Sequence, residues 1–189
     1  MIIGVDGSLT STGLCILSRD GQFLGADQIA SDPKAPTHVR CRGIARAITE
    51  HLQKHDVSLW WAFMEEPGGS LQGDAGDLRT LFWFIVEELA NYQRAVVSIY
   101  GISAKGLTKF VTGNGNSKAG DKAYAISKDW MDLLPEEFHA TDRTKPKGLM
   151  RWADLWDALA LCKVGRQYLQ LEEGTTTQQE ALQKIKRIV

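Results

Sequence analysis

Leu59-Trp60-Trp61-Ala62-Phe63-Met64-Glu65 is apolar at every position until it ends in a carboxylate. Successive side chains of a strand point to opposite faces, so a strand apolar at both parities must be covered on both sides. Ala95 to Tyr100 is a second run of this kind. Two such strands require a sheet sandwiched between helices, which is an α/β domain.

The remaining segments fit that frame. Ile2 to Asp6 is a short apolar run that also ends in a carboxylate, followed by the hydroxyl-rich turn Gly7-Ser8-Leu9-Thr10-Ser11-Thr12-Gly13. Leu14 to Leu17, the hairpin signal Arg19-Asp20-Gly21 and Gln22 to Ala30 complete an antiparallel meander. Helices are expected from Thr37 to about Lys54, from Asp77 to about Tyr92, from about Gly120 to Leu134 and from Leu149 to about Leu171. The glycine-rich stretch from Pro67 to Gly76 must be a loop. The order predicts a mixed five-stranded sheet, an antiparallel meander followed by parallel strands, with helices on both faces. Residues 1–171 form one domain in this reading, and 172–189 form a tail with an amphipathic helix from Gln178 to Val189.

Composition excludes several classes. With 43% hydrophobic and 24% charged residues, the 189-residue chain is an ordinary globular one. No apolar run is long enough to span a membrane, and Met1 to Asp6 does not open as a secretory signal. The three cysteines, Cys15, Cys41 and Cys162, are widely spaced, match no zinc motif and suit small core positions in a reducing cytoplasm. The net charge of −1 does not advertise a nucleic-acid binder. The charge is polarised, however: Lys105, Lys109, Lys118, Lys122, Lys128, Arg143, Lys145, Lys147 and Arg151 crowd one stretch, whereas Glu65, Glu66, Asp74, Asp77, Glu87, Glu88, Glu172 and Glu173 lie elsewhere. One face can therefore meet phosphates.

Four acids stand out by position. Asp6 and Glu65 end strands, and Asp154 and Asp157 lie three apart on one side of a helix whose other members are mostly apolar. Clustered carboxylates raise one another's pKa. Hard cations with oxygen shells, Mg²⁺ or Mn²⁺, relieve that cost, and a pair of such ions about 3.5–4 Å apart supports phosphodiester hydrolysis without a protein nucleophile.

Ile3-Gly4-Val5-Asp6-Gly7-Ser8-Leu9-Thr10-Ser11-Thr12-Gly13, then Met64-Glu65, then Asp154-Leu155-Trp156-Asp157-Ala158-Leu159-Ala160-Leu161 resemble, in order, three motifs of the RuvC-like Holliday junction resolvases. The resemblance covers about residues 1–165 and is closest to phage-encoded members. It implies an RNase H-like fold, Mg²⁺ dependence with Mn²⁺ as a substitute, a homodimer, and paired nicks in four-way or other branched DNA. It implies Asp6, Glu65, Asp154 and Asp157 as metal ligands, with Glu66 the alternative to Glu65. Family lysines that support catalysis or bind DNA fall on Lys118 and Lys122. With Lys105, Lys109, Arg143, Lys145 and Lys147, these are the expected DNA-facing residues. One departure is visible: the family's junction-stacking aromatic has no counterpart between Glu66 and Leu71.

The helix from Asp77 carries one stripe, Leu78, Leu81, Phe82, Ile85 and Leu89, and additionally Trp83, Phe84 and Val86. A helix apolar on most sides is either enclosed by its own chain or shared between core and interface. A two-fold interface around Leu78, Phe82, Trp83, Phe84 and Val86 is the expectation, with intrachain burial as the alternative. Three other functions compete. One is a kinase-type ATPase, which shares the Asp-Gly-Ser turn but needs two such domains. The others are a branched-DNA-binding module without cleavage and an RNase H-like nuclease on another nucleic acid.

Overall fold

The sheet has the order β3-β2-β1-β4-β5-β6. In the computed structural model, which describes residues 1–55, 60–68, 74–92, 96–139 and 152–189, the strands are β1 (Ile2–Asp6), β2 (Thr12–Leu17), β3 (Phe23–Ile29), β4 (Trp60–Glu66), β5 (Val96–Ser103) and β6 (Lys186–Arg187). The meander β1–β2–β3 is antiparallel, and β4 and β5 run parallel to β1. The mixed sheet is the predicted one with an added strand: β6 pairs antiparallel with β5.

The helices are α1 (Thr37–Gln53), α2 (Asp74–Asn91), α3 (Ala104–Thr112), α4 (Ala119–Asp129), α5 (Ala153–Tyr168) and α6 (Thr176–Leu182). Several readings of the sequence change here: α2 begins at Asp74, within the stretch expected as a loop, and α4 ends at Asp129 and not at Leu134. The segment after Ser103 is a helix, α3, because the Ser103 hydroxyl accepts a hydrogen bond from the Gly106 amide and caps it. The expected helix over 178–189 is short: α6 starts with a Thr175–Gln178 capping box, and the chain then extends into β6, whose flanking residues Ile188 and Val189 bond to Ile99.

Each face of the sheet has its own core. On one, Ile3, Val5, Leu14, Ile16, Ala62 and Met64 meet α1 and α2. On the other, Ile2, Cys15, Leu17, Phe63 and Ile102 meet α5, backed by α3, α4 and α6. Cys15, Cys41 and Cys162 are buried free thiols. Helix α5 is apolar nearly all round because sheet and helices enclose it, and Trp156 Nε1 donates to the Phe138 carbonyl at 3.2 Å to fasten the preceding turn over it. Truncating Trp156 or Phe63 to alanine would cost about 3–5 kcal/mol. No helix among the described residues is long and apolar enough to cross a membrane.

Two glycines set how closely α5 approaches. A β-carbon on Gly4 in β1 would overlap the Ala158 carbonyl, and one on Gly13 in β2 would overlap the Asp154 carbonyl. A strand glycine marks such close backbone approach. From the helix side, Gly165 makes room for the Phe63 ring and Ile2.

Candidate active site

Asp6 is the last residue of β1 and pairs with Gly13 of β2. It shares a sheet face with Gly4, on which Ala158 rests, so α5 carries Asp154 and Asp157 to the end of β1 that Asp6 occupies. In β4, Phe63 belongs to the α5 core while Ala62 and Met64 belong to the α1–α2 core. Strand alternation therefore turns Glu65 toward α5 and Glu66 away from it. Glu66 lies against Gly101 and stands 3.8 Å from Lys186. Parity thus separates the two candidate glutamates and puts Glu65 with the other acids.

From α4, Lys122 Nζ reaches Asp157 Oδ2 at 2.5 Å, and their side chains are only 13% and 15% exposed. The electrostatics follow from burial. Asp6 is held well above the usual carboxylate range, first by desolvation and then by Asp157, Glu65 and Asp154. Burial pushes Glu65 to about 7, with Lys122 opposing and Asp157 adding to the shift. Asp154 is raised by burial, against which the polar side chains of Ser11 and Gln28 and the charge of Lys122 work. Asp157 is raised by burial, offset in part by Lys122. Burial alone would lower Lys122, but Asp157, Glu65 and Asp6 outweigh it and the pKa rises.

The turn after Asp6 is cross-braced. Thr12 Oγ1 donates to the Ser8 carbonyl at 2.6 Å and accepts from the Ser8 amide at 3.2 Å. Arg40 of α1 grips the outside of the turn, donating from Nη2 to the Leu9 carbonyl at 3.0 Å and from Nε to Ser31 Oγ at 2.9 Å. A cavity of about 80 Å³ opens beside Asp6 and Glu65 over Phe82 and Ile85. Sequence reasoning missed Arg40, Ser11 and Gln28, because their contacts bridge separate elements and leave no local period.

An oxygen-only donor set with raised pKa values and one ammonium fits a hard divalent cation. Among the described residues, no three His, Cys, Asp or Glu side chains are closed into a ready metal-binding group; the carboxylates are gathered, and Lys122 stands among them. Lys118 is exposed at the start of α4, where its amide bonds Asp121, and does not join the cluster. Lys105 is exposed, and Lys109 is engaged by Glu180 of α6 at 2.6 Å. Arg143, Lys145 and Lys147 lie outside the described residues.

On α2, Phe82 and Val86 are buried within the chain. Phe84 packs on the same core beneath the Arg42 guanidinium, 6.0 Å from its ring centre. Leu78 is half-buried, and Trp83 is 55% exposed. Of the five expected interface residues, Trp83 alone is exposed.

The fold has solved relatives. Thermus thermophilus RuvC superposes with a TM-score of 0.63 at 16% identity, covering 92% of this chain and 98% of that one. The chain has the RuvC fold. T. thermophilus RuvC in complex with Holliday junction substrate superposes with a TM-score of 0.60 at 17% identity, covering 85% of this chain and 89% of that one. No family model matches the sequence, and no curated protein sequence matches it. The three motifs that resemble RuvC thus sit in a RuvC-like frame at low overall identity.

Proposed function

We propose that this chain is a divalent-metal-dependent endonuclease that nicks branched DNA, four-way junctions above all, as a RuvC-type resolvase. The observation that carries the reading is the gathering of Asp6, Glu65, Asp154 and Asp157, from two strands and one helix, around the buried Lys122. Support comes also from the fold and from a similar structure solved with Holliday junction substrate.

Asp6, Glu65, Asp154 and Asp157 would hold one or two Mg²⁺ ions, with Mn²⁺ as a substitute. Bound there, such ions lower the pKa of water and offset charge on a leaving oxygen. Asp6 and Glu65 are fixed by the sheet, and Asp154 and Asp157 by a helix that cannot slide over Gly4 and Gly13. Lys122 balances charge while the carboxylates are free and then stands beside the phosphate. Lys105 and Lys118 are exposed for phosphate contact, and Lys109 would have to leave Glu180 to join them. Trp83 is the residue through which a second copy would pack on α2, placing two sites for paired nicks. A phage origin rests on the motif resemblance alone, and a cytoplasmic location on the reduced cysteines.

The deciding experiment is nicking of a labelled synthetic four-way junction in Mg²⁺, with linear duplex and RNA–DNA hybrid as competitors. Junction nicking that Asp6→Asn abolishes supports the proposal. Binding without nicking would favour the silent DNA-binding module. Preference for the hybrid would move the substrate to RNA–DNA.

A further inference from the structure

His51 lies in the last turn of α1 and His55 in the turn that follows. Their Nε2 atoms stand 3.3 and 3.1 Å from the point that a β-carbon on Gly25 would occupy. The ring centres are 5.8 Å apart. The bare backbone of Gly25 in β3 therefore leaves a gap that two ring nitrogens face. The second nitrogen of His51, Nδ1, is buried without a hydrogen-bond partner of good geometry and stands 3.4 Å from Asp27 Oδ2. Asp27 is two residues along β3 and so shares the face of Gly25.

In a metal-binding imidazole one nitrogen faces a carboxylate and the other the ion; here Nδ1 of His51 stands beside Asp27, and its Nε2 borders the space over Gly25. Two imidazoles bound to one ion at about 2.0–2.1 Å bring their ring centres into this range.

We propose that His51 and His55 form a two-imidazole site for a borderline transition-metal dication, Zn²⁺, Ni²⁺ or Cu²⁺, seated over Gly25 and oriented by Asp27. Imidazole nitrogen selects these ions over Mg²⁺. Among the described residues no third His, Cys, Asp or Glu joins them in a metal-binding group. The site is separate from the carboxylate cluster. Gly25 pairs with Ile16, whose side chain lies in the α1–α2 core, whereas Asp6 faces α5. A bound ion ties the edge strand β3 to the end of α1.

The test is calorimetric titration of the full chain with Zn²⁺ in saturating Mg²⁺, which occupies oxygen-only ligands, together with thermal melting. The wild type is expected to bind one Zn²⁺ per chain and to melt higher with it. Asp27→Asn should weaken binding about 10-fold or more, as loss of an outer partner does, and His55→Gln should weaken it further. Gly25→Ala, which fills the gap, should do the same and reports on the cradle without removing a ligand. Circular dichroism of each variant verifies that it is folded. A wild type that takes up no Zn²⁺, or folded His51→Gln and His55→Gln proteins that bind it as the wild type does, would overturn the site.

Discussion

The main-chain carbonyl of Asp154 lies against Gly13, in the space a β-carbon there would fill. Because Gly13 is the ladder partner of Asp6, this contact couples an acid on a helix to an acid on a strand. Gly13→Ala should destabilise the fold by about 1–3 kcal/mol, the usual range for overpacking, and the obstacle is backbone, which cannot swing aside as a side chain does. Urea unfolding measures the loss. Nicking per folded molecule should fall as well, because Asp154 and Asp157 are displaced. A Gly13→Ala protein with wild-type stability and rate would mean that α5 adjusts freely.

Neutralising one acid separates chemistry from binding. Asp6→Asn or Asp157→Asn should abolish nicking in Mg²⁺ while junction affinity persists, since the basic surface is untouched. Gel shift and nicking on the same junction measure the two. Full nicking by either variant would remove these residues from the metal-binding set.

The raised carboxyl pKa values fix the sign of a pH effect. A carboxyl raised in the folded state stabilises the fold while it is protonated. The contribution is complete below the unfolded pKa and is lost as pH rises through the folded one. For Glu65 that window runs from 4.5 to about 7. Metal-free wild type should therefore lose stability relative to Glu65→Gln as pH rises across this window, and Mg²⁺ should shrink the difference. Parallel stability curves for the two proteins would show that Glu65 ionises normally.

Lys122 and Lys118, one helical turn apart, should behave differently. Lys122→Ala leaves Asp157 buried without its cation, at a cost of about 3–5 kcal/mol without metal. Its nicking rate at saturating junction should drop about 100-fold or more. Lys118→Ala should instead weaken binding and reduce the salt slope by about one unit. Equal phenotypes would contradict the burial of one and the exposure of the other.

Trp83 tests the assembly. Trp83→Glu should shift sedimentation from about twice the chain mass toward the single chain and uncouple the two nicks. A wild type that sediments as a single chain, free and on a junction, would exclude α2 as an interface.

The proximity of the candidate acids was legible in the sequence because strand ends and helical spacing are local signals. Asp6, Asp154 and Asp157 stand out as candidates that way. Strand-end position and the resemblance favour Glu65 over Glu66; β4 in fact runs to Glu66, and it is the face of the strand, concealed by its nearly continuous apolar run, that turns Glu65 toward α5. Gly4 and Gly13 were visible as strand glycines, but nothing local says which helix lies on them. The segment after Ser103 reads as mixed, although its serine cap was in view. β6 was unreadable because its two residues, Lys186 and Arg187, are charged and exposed and pair with β5 through their backbone, which leaves no apolar alternation to read. Helix α2 shows the same limit: its apolar circumference is accounted for mostly by its own core, leaving Trp83 outside.

The two margins of the sheet are defended unequally against adding strands from another chain. At one, β5 is covered by the two-residue β6 and by Ile188 and Val189 bonding to Ile99. At the other, β3 carries a glycine, an acid and a shift of register against β2 at Ile16 and Leu17. Short, charged and irregular margins resist templated pairing. Growth of this sheet into a continuous intermolecular one is therefore disfavoured on both flanks, which leaves the helical faces as the surfaces where a pair could close instead of propagating a fibre.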